Sequence, residues 1–210
     1  MKTTISGLYA VTPDLDDTAL LLERVRAALA GGVGFVQYRN KFAAEGLRRV
    51  QASALRELCR CSGAVLIIND HVELARDIAA DGVHVGGDDA TIAEARAKLG
   101  HDKIIGASCY NSLARAQAAA AQGADYVAFG SFFASSVKPG AVRAPLALLR
   151  EARRQTTLPL VAIGGITFDN ARQLIAAGAD AIAVISALFA APDIEIAARE
   201  FSRLFDPKTG

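Results

Sequence analysis

The chain has 210 residues, 52% hydrophobic and 21% charged, with 18 Gly, 6 Pro and no Trp. That is enough apolar material for a substantial core, and it excludes a disordered chain, which needs low hydrophobicity and high net charge. Lys plus Arg number 23 and Asp plus Glu 22, a formal charge of +1, so the basic surplus of a nucleic-acid binder is missing.

The opening Met1-Lys-Thr-Thr-Ile-Ser-Gly holds no apolar run of signal-peptide length. No stretch approaches the roughly 20 apolar residues of a bilayer span. The expectation is a cytoplasmic protein without a membrane or nucleic-acid partner. Cysteine usage agrees: Cys59, Cys61 and Cys109 are odd in number and lack framework spacing, as in a reduced compartment. Cys59 and Cys61 sit two positions apart on a predicted helix and point in different directions, which suits packing better than zinc.

Eight short apolar bursts follow one another at 7–12, 34–38, 64–68, 82–85, 103–107, 124–129, 159–163 and 180–185. Their brevity fits strands buried on both faces. Helical stripes separate them: Leu21, Val25, Ala28 and Leu29; Leu47, Val50, Ala54 and Leu58; and Ala171, Leu174 and Ile175, with Thr167 as N-cap and Gly178 as stop. A faint repeat carries a helix end through Gly into a burst in Ala30-Gly-Gly-Val-Gly-Phe-Val-Gln, Ala80-Asp-Gly-Val-His-Val-Gly, Gln122-Gly-Ala-Asp-Tyr-Val-Ala-Phe-Gly and Ala177-Gly-Ala-Asp-Ala-Ile-Ala-Val-Ile. Strict alternation implies a parallel sheet, and eight units in this length predict a single (β/α)8 TIM barrel domain over 1–210. An open doubly wound sheet is the alternative, weakened because no Gly-rich dinucleotide fingerprint follows the first strand.

Barrel chemistry sits at the C-terminal strand ends, so the residues after each burst are the candidates. Gln37-Tyr-Arg-Asn-Lys41 places Arg39 and Lys41 on one side, two cations suited to an oxyanion, with a solvated loop as the plainer reading. Asn69-Asp70 follows the third burst and Gly86-Gly-Asp-Asp89 the fourth. Carboxylates at neighbouring strand ends suit Mg2+, which keeps waters and binds with substrate phosphates; Asp88 or Asp89 could equally cap a helix starting near Ala90. Ser108 follows the fifth burst, as a phosphate contact or a helix start. The longest loop, 130–143, carries Ser135, Ser136 and Lys138, with Lys138 as a phosphate-binding charge or a solvated one. Gly164-Gly165 and Ile185-Ser186 occupy the ends where barrels commonly hold phosphate through backbone N–H groups. His84 alternates with Val83 and Val85 and reads as an interior packing residue sooner than a base. No Ser-His-Asp or Cys-His spacing appears. The rim would thus bring two phosphorylated small molecules together.

The chain resembles the thiamine-phosphate synthase family over nearly its full length. The matching stretches include Leu8-Tyr-Ala-Val-Thr12, Gln37-Tyr-Arg-Asn-Lys41, Ile68-Asn-Asp-His-Val-Glu-Leu-Ala75, Gly82-Val-His-Val-Gly86 with Asp88-Asp89, Ile105-Gly-Ala-Ser108, Lys138-Pro, Ala162-Ile-Gly-Gly-Ile166 and Ala183-Val-Ile-Ser186, in order and spacing. The resemblance implies a Mg2+-dependent joining of hydroxymethylpyrimidine diphosphate to thiazole phosphate, giving thiamine phosphate and pyrophosphate. It implies that Gln37, Arg39, Lys41 and Asn69, with Tyr38 and Ser135 among the substrate contacts, bind the pyrimidine substrate. Asp70 and Asp89 would hold Mg2+, Ser108 and Lys138 the diphosphate, and Gly165, Ile185 and Ser186 the thiazole phosphate. Arg39, Lys41, Ser108 and Lys138 are the expected catalytic set, and a homo-oligomer is compatible with it. Two positions depart from the pattern: Gly87 where the family has Gln, and Val137 where it has a hydroxyl. A thiazole-phosphate tautomerase and a non-catalytic phosphate-binding barrel are the alternatives.

Overall fold

The computed structural model describes residues 3–87, 91–134 and 142–206. Its strands are β1 (Gly7–Val11), β2 (Phe35–Tyr38), β3 (Val65–Asn69), β4 (Gly82–Val85), β5 (Ile104–Tyr110), β6 (Tyr126–Phe129), β7 (Leu160–Ile163) and β8 (Ala181–Val184). Between and after them run α1 (Thr18–Ala30), α2 (Glu45–Ser62), α3 (Val72–Asp77), α4 (Ile92–Leu99), α5 (Leu113–Ala121), α6 (Leu146–Gln155), α7 (Phe168–Ala176), α8 (Ser186–Phe189) and α9 (Ile194–Arg203). Every neighbouring strand pair is parallel, and β1 pairs with both β2 and β8, so the sheet closes as the expected (β/α)8 barrel.

The two-residue period of each strand divides its side chains between two cores. Leu66, Ile68, Leu160, Ala162, Ile182 and Val184 face outward into the layer beneath the helices. Tyr9, Val11, Ile67, Val161, Ala181 and Ala183 face inward and fill the barrel. Cys59 and Cys109 lie in the outer layer, where burial pushes both thiols up to about 12, so neither is a nucleophile at neutral pH.

The faint repeat has a physical basis at the N-terminal strand ends. Asp81, Asp125 and Asp180 occupy equivalent places before β4, β6 and β8. Each carboxylate accepts the backbone N–H of the preceding strand, from Leu66 at 2.8 Å, Ile105 at 2.8 Å and Leu160 at 2.7 Å. Each also takes an arginine from the preceding even-numbered helix, Arg56, Arg96 or Arg153. These clamps tie helix to barrel on the face opposite the chemistry. Asp125→Ala should therefore lower unfolding free energy by about 1.5–3 kcal/mol, the range for a charge-assisted hydrogen bond, with turnover of the folded protein little changed; urea denaturation beside an activity assay checks both.

Three local expectations are corrected. The buried face of α2 is Gln51, Ala52, Leu55 and Cys59, while Val50 is 57% exposed. The helix turns inward on a polar residue: Gln51 Oε1 accepts from Tyr38 Oη at 2.8 Å, and Gln51 Nε2 donates to the Leu15 carbonyl at 2.8 Å. Reading apolar residues alone rotated the face. Second, α4 begins at Ile92 under a Thr91–Glu94 capping box, so Thr91 takes the capping role considered for Asp88 or Asp89. Third, β5 continues through Ser108 to Tyr110, so Ser108 belongs to a strand; α5 is capped by Ser112.

Candidate active site

Five inward side chains from β1, β2, β4, β5 and β6 form one hydrogen-bonded chain across the barrel. Gln37 Nε2 donates to Tyr9 Oη at 2.9 Å, and Tyr9 Oη lies 2.9 Å from Tyr126 Oη. Tyr126 Oη lies 2.8 Å from His84 Nδ1, and His84 Nε2 lies 2.8 Å from Ser108 Oγ. His84 also stacks on the Tyr126 ring. The chain floors a cavity of about 460 Å³ at the C-terminal strand ends, whose wall includes Gln37, Arg39, Asn69, Ser108, Tyr110 and Gly164. His84 is thus an interior residue, with both ring nitrogens engaged.

Arg39 is placed by the ends of β1 and β2. Thr12 N–H donates to the Gln37 carbonyl at 2.9 Å, and the Thr12 hydroxyl bridges Arg39 N–H and carbonyl at 2.9 and 2.8 Å. Pairing is thereby prolonged one residue beyond the strands. The guanidinium Nη1 donates to both oxygens of Asp14, at 3.1 and 2.9 Å, and Asp14 Oδ1 also accepts the Lys41 backbone N–H at 2.7 Å. Asp14 therefore aims one predicted cation and fixes the loop bearing the other. It was not among the predicted residues, although it lies just past the first burst, at the same rim. Lys41 itself is exposed.

Tyr38 is a correction. The strand period turns it away from the mouth: it is 2% exposed, packs in the outer layer and donates to Gln51, so it contacts no ligand in the cavity. Burial pushes its hydroxyl up to about 12.

Asn69 and Asp70 lie at the end of β3. Asp70 adopts a left-handed backbone, φ 62°, where Asp and Asn are the side chains best tolerated after Gly. Its N–H donates to the His84 carbonyl at 2.8 Å, and its Oδ2 accepts from Asn69 Nδ2 at 2.6 Å. Asp70 lines an adjoining cleft of about 420 Å³ beside Arg48 and His71, while Asn69 lines the main cavity. Arg48 Nε is buried without a hydrogen-bond partner among the described residues, and sequence reading missed this residue.

At the end of β5 the register shifts between Ser108 and Tyr110, and Tyr110 takes φ 53°. This bulge swings the Tyr110 ring over the mouth. Its hydroxyl accepts the Gly87 N–H at 3.3 Å, and the Arg115 guanidinium lies 5.1 Å from the ring centre. A side chain at Gly87 would run into Arg115 Nη1, so Arg115 takes the space that a longer residue at 87 would need. Asp88, Asp89, Ser135, Val137 and Lys138 lie outside the described residues.

The remaining candidates form a second, smaller cavity of about 180 Å³ that Gly165, Thr167, Ile185 and Ser186 line. Gly164 and Gly165 have φ 104° and 63°, and a methyl on Gly165 would overlap the Ala134 carbonyl. Glycine there permits both the turn and the close approach of the β6–α6 segment. Ile163, Gly164, Ala183 and Ile185 border both cavities. Cation-bearing mouth and glycine cradle are therefore continuous.

Comparison with known proteins identifies the family. A family model described as thiamine monophosphate synthase matches residues 8–188. Thiamine-phosphate synthase of Methylobacillus flagellatus is 59% identical over 202 residues, covering 96% of each chain. That of Thiobacillus denitrificans is 57% identical over 98% of this chain and 97% of its own. The solved thiamine phosphate pyrophosphorylase from Pyrococcus furiosus superposes with a TM-score of 0.86 at 37% identity, covering 97% of both chains. The chain belongs to the thiamine monophosphate synthase family.

Proposed function

We propose that this barrel joins hydroxymethylpyrimidine diphosphate to a thiazole phosphate, giving thiamine phosphate and pyrophosphate. The observation that carries this reading is the continuity of the two cavities, one bordered by Arg39, Asn69 and Ser108 and the other by Gly165 and Ser186. One anion has charged and hydroxyl contacts, and the other has backbone and hydroxyl contacts.

The reaction follows from where charge develops. Loss of pyrophosphate from a pyrimidinylmethyl carbon leaves a cation stabilised by the ring, and the thiazole nitrogen attacks it with a lone pair it already has. No general base is required. Arg39, held by Asp14, stabilises the departing negative charge, with Ser108, Lys41 and Lys138 as further donors. Gln37 and Asn69 orient the pyrimidine, Gly165, Ile185 and Ser186 hold the thiazole phosphate, and the segment 130–143 excludes water that would capture the cation.

Among the described residues no three His, Cys, Asp or Glu side chains gather as a metal site. Asp70 would supply one carboxylate and Asp89 the other of the sparse set that suits Mg2+, an ion that relies on waters and substrate phosphates for its other ligands. Bound there, Mg2+ would neutralise charge on the diphosphate. No helix is long and apolar enough to cross a membrane among the described residues, in keeping with a cytoplasmic enzyme.

The test is an assay of both substrates with and without Mg2+, following thiamine phosphate and pyrophosphate together. Stoichiometric, Mg2+-dependent formation of both supports the reading. Rearrangement of the thiazole substrate alone would indicate a tautomerase, and calorimetric binding without product a non-catalytic barrel. Within the same assay, Asp14→Asn should raise KM for the pyrimidine diphosphate roughly tenfold, with kcat changed much less, because Arg39 loses its bidentate partner and its aim. An unchanged KM would remove Asp14 from the account.

A further inference from the structure

We propose that the protons of the buried chain run in one order, from Gln37 through Tyr9, Tyr126 and His84 to Ser108, so that His84 is held as its Nε2–H tautomer and Ser108 donates its own hydroxyl proton into the mouth. The inference deepens the proposed function, resting on it only for the identity of the anion that Ser108 meets.

The order follows from counting protons. Burial pushes both the Tyr9 and the Tyr126 hydroxyls above the ordinary tyrosine value, so each remains a phenol with one proton to give. Tyr9 accepts from the Gln37 amide, and its other hydrogen-bond neighbour is Tyr126. Its proton therefore points to Tyr126. Tyr126, now an acceptor on that side, gives its proton to His84 Nδ1. An imidazole accepting at Nδ1 carries its proton on Nε2, which donates to Ser108 Oγ. Ser108 then has an acceptor lone pair occupied and its own proton available to the cavity it lines.

The opposite order fails at the far end. Tyr126 would donate to Tyr9, which already accepts from Gln37, and the Tyr9 proton would be left without a protein acceptor among the described residues, on a residue 1% exposed. An unmade buried hydrogen bond of that kind favours the first order at least about tenfold. The two ends also agree chemically: an anion at the mouth needs a donor at Ser108, and only the first order supplies one. Tyr9, Tyr126 and His84 thereby serve as positioning residues, acting through Ser108.

The experiment reads the tautomer directly. The chain has three histidines, His71, His84 and His101, so long-range proton–nitrogen correlation spectra of protein labelled at histidine nitrogen, with His84→Gln to assign the signal, resolve His84 without substrate. The expected result is Nε2–H for the wild type, at least about tenfold over Nδ1–H. In Gln37→Leu, which withdraws the donor that starts the chain, that preference should fall and Nδ1–H should become visible. A wild-type Nδ1–H or doubly protonated ring overturns the proposal, as does a Gln37→Leu spectrum identical to wild type. The wild-type spectrum decides the proton order even if the variant does not fold. Because no substrate is present, the outcome is separable from the turnover assay.

Discussion

Asp70→Asn should lower turnover at least about 100-fold at saturating substrates, equal to some 2.7 kcal/mol of transition-state stabilisation. The substitution is chosen for its backbone. Asp70 sits at φ 62°, a conformation Asn tolerates about as well as Asp, whereas Ala there would add strain unrelated to charge. The Asn69 contact to the side chain can be kept by the amide oxygen, so the change chiefly removes one negative charge. Raising Mg2+ should narrow the gap, since a weakened metal site fills at higher concentration. Asp89→Ala and Lys138→Ala carry the same expectation of at least about 100-fold, Asp89 through the Mg2+ it would help to hold and Lys138 through the positive charge it would bring to the leaving group. Near-normal rates for all three would leave the departing pyrophosphate without its principal partners, and the charge-stabilising mechanism would fail.

The fold was readable because each strand is buried on both faces, so eight apolar bursts stand out as runs and not as alternations. The glycine-to-strand repeat marked the units, and the aspartates within it, Asp81, Asp125 and Asp180, prove to be the clamps between helix and sheet. What escaped was polar burial. Gln51 sits in the core of α2 because Tyr38 and the Leu15 carbonyl need a partner, and a search for apolar stripes cannot see that need. The same blindness concealed the interior chain: Tyr9 and Tyr126 count as hydrophobic in a strand pattern, although their hydroxyls meet inside the barrel. Within the site, the C-terminal strand ends were legible as positions, whatever residue type they carry. Arg39, Asn69, Ser108, Gly165 and Ser186 all border the mouth or its cradle, while Asp70 lines the cleft beside it. Pairing was not legible. The Asp14–Arg39 contact joins residues 25 apart through the β1–β2 register, and the exclusion of Tyr38 depends on which face of β2 turns inward.

Gly106→Ala should cost at least about 3 kcal/mol of stability, at the upper end for an overpacked core, and shift the melting temperature down by roughly 6–12 °C for a chain of this size. Gly106 pairs with Tyr126 across the β5–β6 ladder, and a methyl on it would overlap the Tyr126 ring and hydroxyl. In most cores a long side chain would swing aside. Tyr126 cannot do so cheaply, because its hydroxyl is held between Tyr9 and His84 and its ring is stacked on the imidazole. Activity should fall with stability, since displacing the ring also breaks the link that orients His84 and Ser108. The mechanism makes a further demand that a general loss of packing would not: Tyr126→Leu, which removes the obstructing ring, should be less harmful when Gly106→Ala is already present than alone. The combined loss should fall short of the sum of the single losses by at least about 1 kcal/mol, as for residues in direct contact. Thermal and urea unfolding of the four proteins measure this, and strict additivity would show that the glycine is retained for a reason other than the tyrosine opposite it.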